Sequence, residues 1–422
     1  MYQTTALPNG VLVATASMPH MRSASFGVWV ATGGRHETAP QNGSSHFIEH
    51  MLFKGTPKRS AAEISQAVEG VGGYLNAFTS EESTCFYARA SHEKLPVLID
   101  VIGDMFLNSK FDPEELEKER QVIKEEVAMY QDQPQQHVQE LLNDLCWPDQ
   151  PLGRPLTGTL EGLDRLTRAS LLDYYKANYI AGATLITAAG QVEHGALVEK
   201  VSKLARRIPA GARKSPAAAA PNQTAPRLRV VRKDVEQTQL AIGIRACSRH
   251  DDSRFALRLL STVLGENMSS RLFQTVREER GLAYSIYSAT SSFEDVGVLN
   301  ISAGLDTRRL EEATKVILEQ LQALREKAPS APELRRARDY VIGQMDLSLE
   351  STENQMTWLG ETILGYGKAM PPDQVKSRLL AVTSSQVREV ARRFLTRDRL
   401  NMCVIGPAKE QKRVESLLNN AF

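Results

Sequence analysis

Two histidines and one glutamate lie within five residues of each other, in a segment (residues 42–55) with the sequence NGSSHFIEHMLFKG. If this segment is helical, His46 and His50 are four residues apart and both imidazoles point from one face toward a single metal ion. Glu49 lies one residue off that face, beside the metal without having to bind it. The H-x-x-E-H spacing therefore predicts a metal site with an adjacent carboxylate.

The chemistry that suits these residue types is zinc-dependent hydrolysis. A catalytic zinc ion takes three protein ligands, commonly two histidines and a glutamate, and keeps a fourth position for water. The ion lowers the pKa of that water from 15.7 to about 7, and a nearby carboxylate can then remove its proton. Glu49 is placed for this task and could later give the proton to a departing amine. The alternative is a pair of surface histidines beside an ordinary salt-bridging glutamate.

A third ligand is expected from the segment ERQVIKEE, residues 119–126. Glu119 and Glu126 are seven residues apart, which is two helical turns, so they share one face. Val122 and Ile123 lie between them and indicate that this face is at least partly buried. Two buried carboxylates need a cation nearby, because burying a charge without a partner is costly. A solvated charged helix is the alternative when the segment is considered without the histidines.

Both motifs need helices to position them, and the sequence supplies the start and stop signals. Ser44 or Ser45 can cap the first helix, and Gly55 can end it. Asp112 can cap the second helix, with Pro113 at its first position and a glutamate at its third. The side of the first helix that faces away from the metal would pack into a core through its apolar residues Phe47, Leu52 and Phe53.

The bulk composition is that of an ordinary globular protein, with 42% hydrophobic residues, 24% charged residues and a formal net charge of +1. Proteins that bind nucleic acids or membrane surfaces show a basic excess, so neither partner is expected. No stretch approaches the roughly 18 uninterrupted apolar residues of a membrane span, and the N-terminus lacks the features of a secretory signal. A cytoplasmic protein is expected, although a processed mature form would look the same. The cysteines are far apart and predict isolated buried thiols.

At 422 residues the chain is too long for a single hydrophobic core. Residues 209–227, PAGARKSPAAAAPNQTAPR, predict an extended linker because they cannot bury enough apolar surface to fold. The linker separates a first domain, residues 1–208, from a second domain, residues 228–422. The two are nearly equal in length, which favours an internal repeat.

Matching segments occur in the same order in both halves. The pairs are FDPEELEKER (111–120) with PSAPELRRAR (329–338), SFGVWVATGGRH (25–36) with QLAIGIRACSRH (239–250), and the helix-opening LTRAS (166–170) with VTSSQ (382–386). Strand-like composition marks residues 11–16, 25–31, 87–90 and 185–189. Strands and helices that are mixed rather than alternating favour a mostly antiparallel sheet packed with helices. The sequence therefore predicts an α+β fold of two homologous domains from an internal duplication.

The HFIEH motif, the helix that ends in Glu126, the duplicated halves and the length resemble the pitrilysin-type (M16) zinc metallopeptidases. Within that family the chain is similar to the branch of mitochondrial processing peptidases and their bacterial relatives. The motif order is that of the inverzincins. The resemblance covers essentially the whole chain. It implies a zinc-dependent endopeptidase that holds one Zn²⁺ per chain.

The resemblance also assigns roles to residues of the first domain. It implies that Glu126 is the third metal ligand, beside His46 and His50, and that Glu119 is a carboxylate that orients and tunes the site. Glu125 is the alternative ligand if the register is off by one. Aligned on the repeat, the second domain has no counterpart of these ligands: Ala337 and Gln344 replace the two glutamates, and residues 260–264 contain no histidine.

Two further segments match the family. Residues 72–79, GGYLNAFT, resemble the edge strand on which such peptidases bind the substrate chain, with Asn76 and Ala77 beside the scissile bond. Residues 269–285 resemble the distal part of the active site, where Arg277 and Tyr284 would contact the substrate carbonyl region. Without the family context, a strand after a Gly-Gly turn explains the first segment equally well, and a surface arginine with a core tyrosine is the better explanation of the second.

The resemblance implies a homodimer that encloses unfolded peptide substrates in a chamber, with the second domain of one chain completing the zinc site of the other. Two alternatives remain: a non-catalytic scaffold or core-type subunit of the same superfamily, and a catalytic subunit that is active only as a heterodimer with a homologous chain. The glycine-rich loop of the processing peptidases is replaced by LGENM (264–268), which weakens the case for a presequence substrate.

Overall fold

The computed structural model describes residues 2–407 and 411–422. The strands are β1 (Tyr2–Ala6), β2 (Leu12–Ser17), β3 (Ser23–Val30), β4 (Tyr74–Thr79), β5 (Thr84–Ser91), β6 (Thr184–Gly190), β7 (Arg227–Arg232), β8 (Gln237–Ala246), β9 (Ala283–Ser292), β10 (Gly297–Asp306) and β11 (Leu400–Gly406). The predicted strands of the first half are therefore confirmed, with ends that shift by up to a few residues.

The α-helices are α1 (Ser44–Leu52), α2 (Ala61–Glu69), α3 (Leu95–Asn108), α4 (Pro113–Asp132), α5 (Pro134–Cys146), α6 (Leu160–Arg165), α7 (Arg168–Asn178), α8 (His194–Ala205), α9 (Arg254–Gly265), α10 (Leu310–Glu326), α11 (Ala331–Ser348), α12 (Thr352–Tyr366), α13 (Pro372–Ala381), α14 (Ser384–Phe394) and α15 (Gln411–Asn419). Short 3₁₀ turns connect several of them, and Phe273–Glu279 forms a π-helix. Within the described ranges, no helix combines the length and the apolar character that crossing a membrane requires.

The chain folds into two compact units that are not simply its two halves. The first unit contains Met1–Ala128, Arg154–Ala217 and Asp346–Pro371, and the second contains Met129–Gly153, Ala218–Met345 and Pro372–Phe422. Each unit thus includes one long helix from the other half of the chain, α12 in the first unit and α5 in the second. The linker segment divides between the units at residues 217 and 218.

The first unit is built on a six-stranded sheet in the order β1-β2-β6-β3-β5-β4. Only β2 and β6 pair in parallel, and the other neighbours pair antiparallel. Side chains alternate between the faces of the central strand β3, as the pleat of a strand requires. Phe26 and Val28 pack in the core with α1 and α3, whereas Trp29 packs on the opposite face with Met356 of α12.

Helix α12 approaches its face of the sheet unusually closely, and glycines make this approach possible. A Cβ atom at Gly360 would lie 2.3 Å from the Trp29 ring, and one at Gly27 would lie 2.6 Å from the sulfur of Met356. Without α12, Trp29 and the buried side chains around it would be exposed to water. Helix α12 belongs to the second half of the chain but packs in the first unit, and the need to cover this face of the sheet explains that arrangement.

The second unit repeats the same strand plan in the order β7-β11-β8-β10-β9. Its one parallel pair, β7 with β11, corresponds to β2 with β6, and the remaining pairs are antiparallel. Helix α5 covers one face through Leu142 and Cys146, where a Cβ atom at Gly243 would lie 2.7 Å from the cysteine sulfur. The prediction of two homologous α+β domains with mostly antiparallel sheets is confirmed.

Residues 209–224 carry no regular secondary structure, as expected for a linker, but buried arginines fix the segment to each unit. Arg35 donates to the carbonyl of Ala217 at 3.0 Å in the first unit. Arg245 donates to the carbonyl of Ala220 at 2.6 Å in the second. The cysteines are buried and free, as predicted: Cys85, Cys146, Cys247 and Cys403.

Candidate metal centre

Helix α1 begins at Ser44 and is not capped by either of the serines that the sequence suggested. Gly43 occupies the N-cap position with φ +92°, and a Cβ atom there would lie 3.0 Å from the carbonyl oxygen of Thr157. The side chain of Glu37 supplies the missing cap, accepting hydrogen bonds from the backbone N–H groups of Gly43 (2.8 Å) and Ser45 (2.7 Å). The prediction of a serine cap was wrong because the cap comes from outside the helix.

The other end of α1 also differs from the prediction in detail. The helix ends at Leu52, and Gly55 lies in the turn beyond it with φ +104°. Phe47 and Leu52 are fully buried, so the side of α1 away from the histidines packs in the core as expected. This packing fixes the rotation of the helix and hence the face on which the histidines project.

The structure brings together the side chains of His46, His50 and Glu126. The Nε2 atoms of the two histidines each lie 3.7 Å from Oε2 of Glu126. One donor atom from each residue lies within 4.8 Å of the other two. They are the one set of three such donors that converges within the part of the chain that the structure describes. The side chains are only partly exposed, at 12% for His46 and 22% for His50 and Glu126.

Helix α4 carries the carboxylates and starts where the sequence predicted. Oδ1 of Asp112 accepts hydrogen bonds from the N–H groups of Glu114 (2.9 Å) and Glu115 (3.3 Å), so the helix begins at Pro113. On the face between the two carboxylates Ile123 is fully buried, as expected.

Val122 departs from that expectation. It is 48% exposed, because it lies a residue too far around the helix to reach the core. Glu125, the alternative ligand, is exposed and does not belong to the converging set.

Glu119 lies behind the histidines rather than among the converging donors. One of its oxygens is 3.0 Å from Nδ1 of His50 and the other is 2.6 Å from Nζ of Lys54. Burial opposes the ionised form of Glu119, but the hydrogen bonds from His50 and Lys54 outweigh it and lower its pKa. Lys54 is thus the cation that the buried carboxylate requires. Sequence reasoning did not name it, although its position four residues after His50 was a usable signal.

The electrostatic state of His46 suits a metal ligand. Burial, assisted by the neighbouring His50, lowers the pKa of His46 to about 4, while Glu126 opposes the shift. The ring is therefore neutral at neutral pH, as a histidine must be to bind a metal. The two imidazole rings lie with their centroids 4.7 Å apart.

Glu49 is held next to the edge of the sheet. The hydroxyl of Thr79 donates a hydrogen bond to its Oε2 at 2.5 Å. Burial raises the pKa of Glu49, and this hydrogen bond opposes the rise without cancelling it. A carboxylate with a raised pKa takes up a proton more readily, which is the property a general base of moderate strength requires.

Strand β4 is the edge strand that the sequence predicted. It pairs antiparallel with β5 and ends the strand order of the first sheet, so its outer side is available for pairing. On this strand the N–H of Ala77 donates to the side-chain oxygen of Asn76 at 2.9 Å, and the Asn76 amide donates to the hydroxyl of Tyr74 at 2.6 Å. Thr79, the last residue of β4, is the one that contacts Glu49.

The predicted distal residues belong to the second unit. Arg277 lies in the π-helix, with its guanidinium 4.7 Å from the centroid of Phe273 and 5.9 Å from that of Tyr284. Tyr284 is on the edge strand β9 and is 75% exposed. The two residues are therefore neighbours, and the tyrosine is not a core residue.

The second unit has the scaffold of the first with different residues at the ligand positions. The segment that replaces H-x-x-E-H, residues 260–264, lies in α9 and is buried throughout. Ala337 of α11 is buried and Gln344 is exposed.

Comparison with known proteins identifies the family. The model described as "Insulinase (Peptidase family M16)" matches residues 12–160, and the model described as "Peptidase M16 inactive domain" matches residues 165–341. An "uncharacterized zinc protease" of Streptomyces coelicolor is 39% identical over 416 residues, which are 97% of this chain and 90% of that protein. The zinc protease YmxG of Bacillus subtilis is 38% identical over 400 residues, 95% of this chain and 97% of that protein. The chain belongs to the M16 peptidase family.

Solved structures share the fold over the whole chain. A protease from Helicobacter pylori superposes with a TM-score of 0.91 at 21% identity, covering 96% of this chain and 99% of that one. A chain of complex III2 of Candida albicans superposes with a TM-score of 0.87 at 19% identity, covering 99% of both chains. At these identities the likeness concerns the fold alone.

Proposed function

We propose that the chain is a zinc-dependent endopeptidase in which His46, His50 and Glu126 hold one zinc ion. The observation that carries the proposal is the convergence of two imidazole Nε2 atoms on one carboxylate oxygen, each 3.7 Å away. The donor atoms of a tetrahedral zinc ion with bonds of 2.0 to 2.2 Å are about 3.3 to 3.6 Å apart. The two histidine–glutamate distances therefore exceed this spacing by only a few tenths of an ångström, and all three donors lie within 4.8 Å of one another.

Glu49 acts as the general base in this proposal. Bound zinc would supply an acidified water and would polarise the carbonyl of the scissile bond. Glu49 takes a proton at its carboxylate and passes it to the nitrogen of the departing amine. The Thr79 hydroxyl holds one oxygen of this carboxylate, so that the other is left to face the reacting atoms. Glu119 holds the His50 ring from behind.

The substrate would bind as an added strand on the outer side of β4. An extended peptide pairs with an edge strand through main-chain hydrogen bonds, which do not depend on its side chains. Asn76 and Ala77 lie on this edge, and β4 leads to Thr79 and so to Glu49. Unfolded peptides are the substrate class that suits this mode of binding, because their backbone N–H and C=O groups are not already paired within a helix or sheet.

Family resemblance supports a further part of the proposal, the assembly. We propose a homodimer around a closed chamber, in which Arg277 and Tyr284 of one chain contact the substrate bound at the zinc site of the other. The exposure of Tyr284 supports a role at a surface. Mixing a Glu49→Gln chain with a Tyr284→Phe chain tests it: recovered activity in the mixture supports a shared site, and full activity of isolated monomers contradicts it.

The test of the function itself combines metal content with peptide cleavage. We expect about one zinc per chain by elemental analysis and cleavage of an unstructured fluorogenic peptide that stops with chelator and returns with added zinc. Glu49→Gln should keep the zinc and lose about 10²- to 10⁴-fold in kcat, because it removes the general base and leaves the ligands intact. His46→Ala should lose both zinc and activity.

Other outcomes would favour the alternatives. Zinc without cleavage, followed by activity on adding a homologous chain from the same organism, would favour a heterodimeric peptidase. Absence of both zinc and cleavage, even with zinc supplied, would contradict the proposal and favour a non-catalytic subunit.

A further inference from the structure

Glu37 is a buried acidic residue that neither the motif nor the proposed reaction uses. It is 2% exposed and lies in the loop before α1, outside the H-x-x-E-H segment. Its Oε2 accepts from the N–H of Gly43 and its Oε1 accepts from the N–H of Ser45. The side-chain amide of Asn42 adds a longer contact of 3.4 Å. Both oxygens of one carboxylate are thus directed at the start of the helix that carries the histidines.

The loop around Glu37 is itself fixed. The guanidinium of Arg154 donates to the main-chain carbonyl of Glu37 at 2.9 Å, and the amide of Asn42 donates to the carbonyl of Pro155 at 2.9 Å. The hydroxyl of Ser45 lies 3.0 Å from the hydroxyl of Tyr174 on α7. The start of α1 is therefore tied to two other elements of the first unit.

The contacts that fix the first turn of α1 are important for the orientation of His46 because the helix is short. It has nine residues, and His46 is the third of them. The first N–H groups of a helix have no partner inside the helix, and an unsatisfied first turn frays. A residue in the first turn can be oriented only if that turn is fixed. The carboxylate also suits the positive end of the helix dipole.

We infer that Glu37 is a positioning residue for the metal centre: its carboxylate fixes the first turn of α1 and thereby holds His46 in the orientation that binds zinc. This inference rests on the proposed zinc site. It assigns Glu37 no contact with substrate or metal. Its effect should appear in the affinity and coordination of the metal, beyond any change in overall stability.

The chain offers a matched control in α8. Glu193 is the exposed N-cap residue of that helix, and its two carboxylate oxygens likewise accept from two N–H groups, those of Gly195 (2.9 Å) and Ala196 (2.5 Å). None of the proposed ligands lies on α8. A second control, Thr383→Ala, removes a side-chain cap from α14 in the second unit and should destabilise by about 1 kcal/mol.

The experiment compares full-length Glu37→Gln, Glu193→Gln, Thr383→Ala and wild type. Zinc dissociation constants are measured by competition with a chelator, and coordination is monitored through the visible absorption of the cobalt(II)-substituted proteins. We expect Glu37→Gln to bind zinc about 10-fold more weakly, the low end of the range for residues that hydrogen-bond to a ligand, because Glu37 acts through the helix backbone, and to show an altered cobalt spectrum. Both controls should match the wild type within 2-fold and keep its spectrum.

The outcomes separate the two proposals. A folded Glu37→Gln protein with the wild-type dissociation constant and spectrum would overturn the inference and leave the peptidase proposal standing. A wild type that fails to bind zinc would overturn both. If Glu37→Gln does not fold, Glu37→Asp decides the question. It keeps the charge but is one methylene too short to reach both N–H groups, and it should bind zinc at least about 3-fold more weakly.

Discussion

Glu119 connects helix α4 to helix α1 through His50, whose Nδ1 donates a hydrogen bond to it at 3.0 Å. The ionised carboxylate can only accept, so the proton is on Nδ1 and the lone pair of the ring is on Nε2. The Nε2 atom, which is the metal ligand in the proposed function, lies 3.7 Å from Oε2 of Glu126. Lys54 neutralises the same carboxylate from its other side, at 2.6 Å.

Replacing Glu119 by glutamine should therefore weaken metal binding without abolishing the fold. Partners that orient a ligand typically contribute 10- to 100-fold in metal affinity. We expect the zinc dissociation constant of Glu119→Gln to rise by this factor, measured by chelator competition. Glu125→Gln, an exposed change on the same helix, should leave the constant unchanged. Equal affinities in the two variants would show that the contact with His50 does not orient the ring.

The identity of the third ligand can be tested on adjacent residues. Glu126→Ala should reduce zinc content from about one ion per chain to less than a tenth in dilute chelator, because it removes a donor of the converging set. Glu125→Ala should retain the ion, since this side chain is exposed and outside the set. Elemental analysis of both proteins after the same dialysis is sufficient. The reverse result would mean that the ligand register is wrong by one residue.

Thr79 should affect turnover but not metal binding. Its hydroxyl donates to Glu49, and a hydrogen bond to a charged group contributes about 1.5 to 3 kcal/mol. We expect Thr79→Val to lower kcat by about 10-fold or more while zinc content stays at the wild-type level. Thr79→Ser keeps the hydroxyl and should recover most of the rate. If Thr79→Val and wild type had the same kcat, the orientation of Glu49 would have to come from elsewhere.

The sequence was most informative where function depends on residues close together in the chain. The i, i+4 spacing of His46 and His50 and the seven-residue spacing of Glu119 and Glu126 identified two helix faces, and the structure brings these faces together. The edge strand β4 and the duplicated sheet plan were also predictable, because strand patterns and repeats are local signals.

The remaining features of the site depend on contacts that local patterns do not encode. Glu37 caps α1 from seven residues before it, and nothing in its spacing separates it from a surface glutamate. Helices α5 and α12 each pack in the unit that is formed mainly by the other half of the chain. This arrangement depends on which sheet faces the remaining helices leave uncovered, and that is a property of the assembled fold. Val122 was expected to be buried together with Ile123, but the buried arc of α4 is narrow at that point and includes only Ile123.

Gly360 should be the most sensitive position in the contact between α12 and the first sheet. A Cβ atom there would lie 2.3 Å from the Trp29 ring, which is fully buried and cannot move aside without disturbing its neighbours. Overpacking of this kind costs about 1 to 3 kcal/mol. We expect Gly360→Ala to lower the thermal unfolding midpoint by several degrees, measured by calorimetry.

Helix α11, which precedes α12 in the chain, provides the control for this prediction. Gly343 of α11 has no atom within 4 Å of an added Cβ, so Gly343→Ala should leave the midpoint unchanged or raise it slightly. A Gly360→Ala protein as stable as wild type would mean that α12 can shift away from Trp29 at little cost.

Glu37 should make stability depend on pH in a direction opposite to that of most carboxylates. Burial raises its pKa from 4.5 to about 7, although the hydrogen bonds from Ser45, Gly43 and Asn42 oppose the shift. The folded protein thus binds this proton more tightly than the unfolded chain. The resulting stabilisation is complete below about pH 4.5 and is lost as the pH rises through 7, a change of about 3 kcal/mol.

Comparison with Glu37→Gln isolates this group, because glutamine does not titrate and all other groups cancel in the difference. Urea unfolding of the zinc-free proteins at pH 5, 6, 7 and 8 should show the advantage of wild type over Glu37→Gln shrinking as the pH rises. For Glu193 the sign is reversed, since hydrogen bonds from Ala196 and Gly195 lower its pKa, so its contribution is lost as the pH falls. A wild-type advantage over Glu37→Gln that does not vary between pH 5 and 8 would mean that the Glu37 carboxyl is ionised in the folded protein throughout that range, as it is in the unfolded chain.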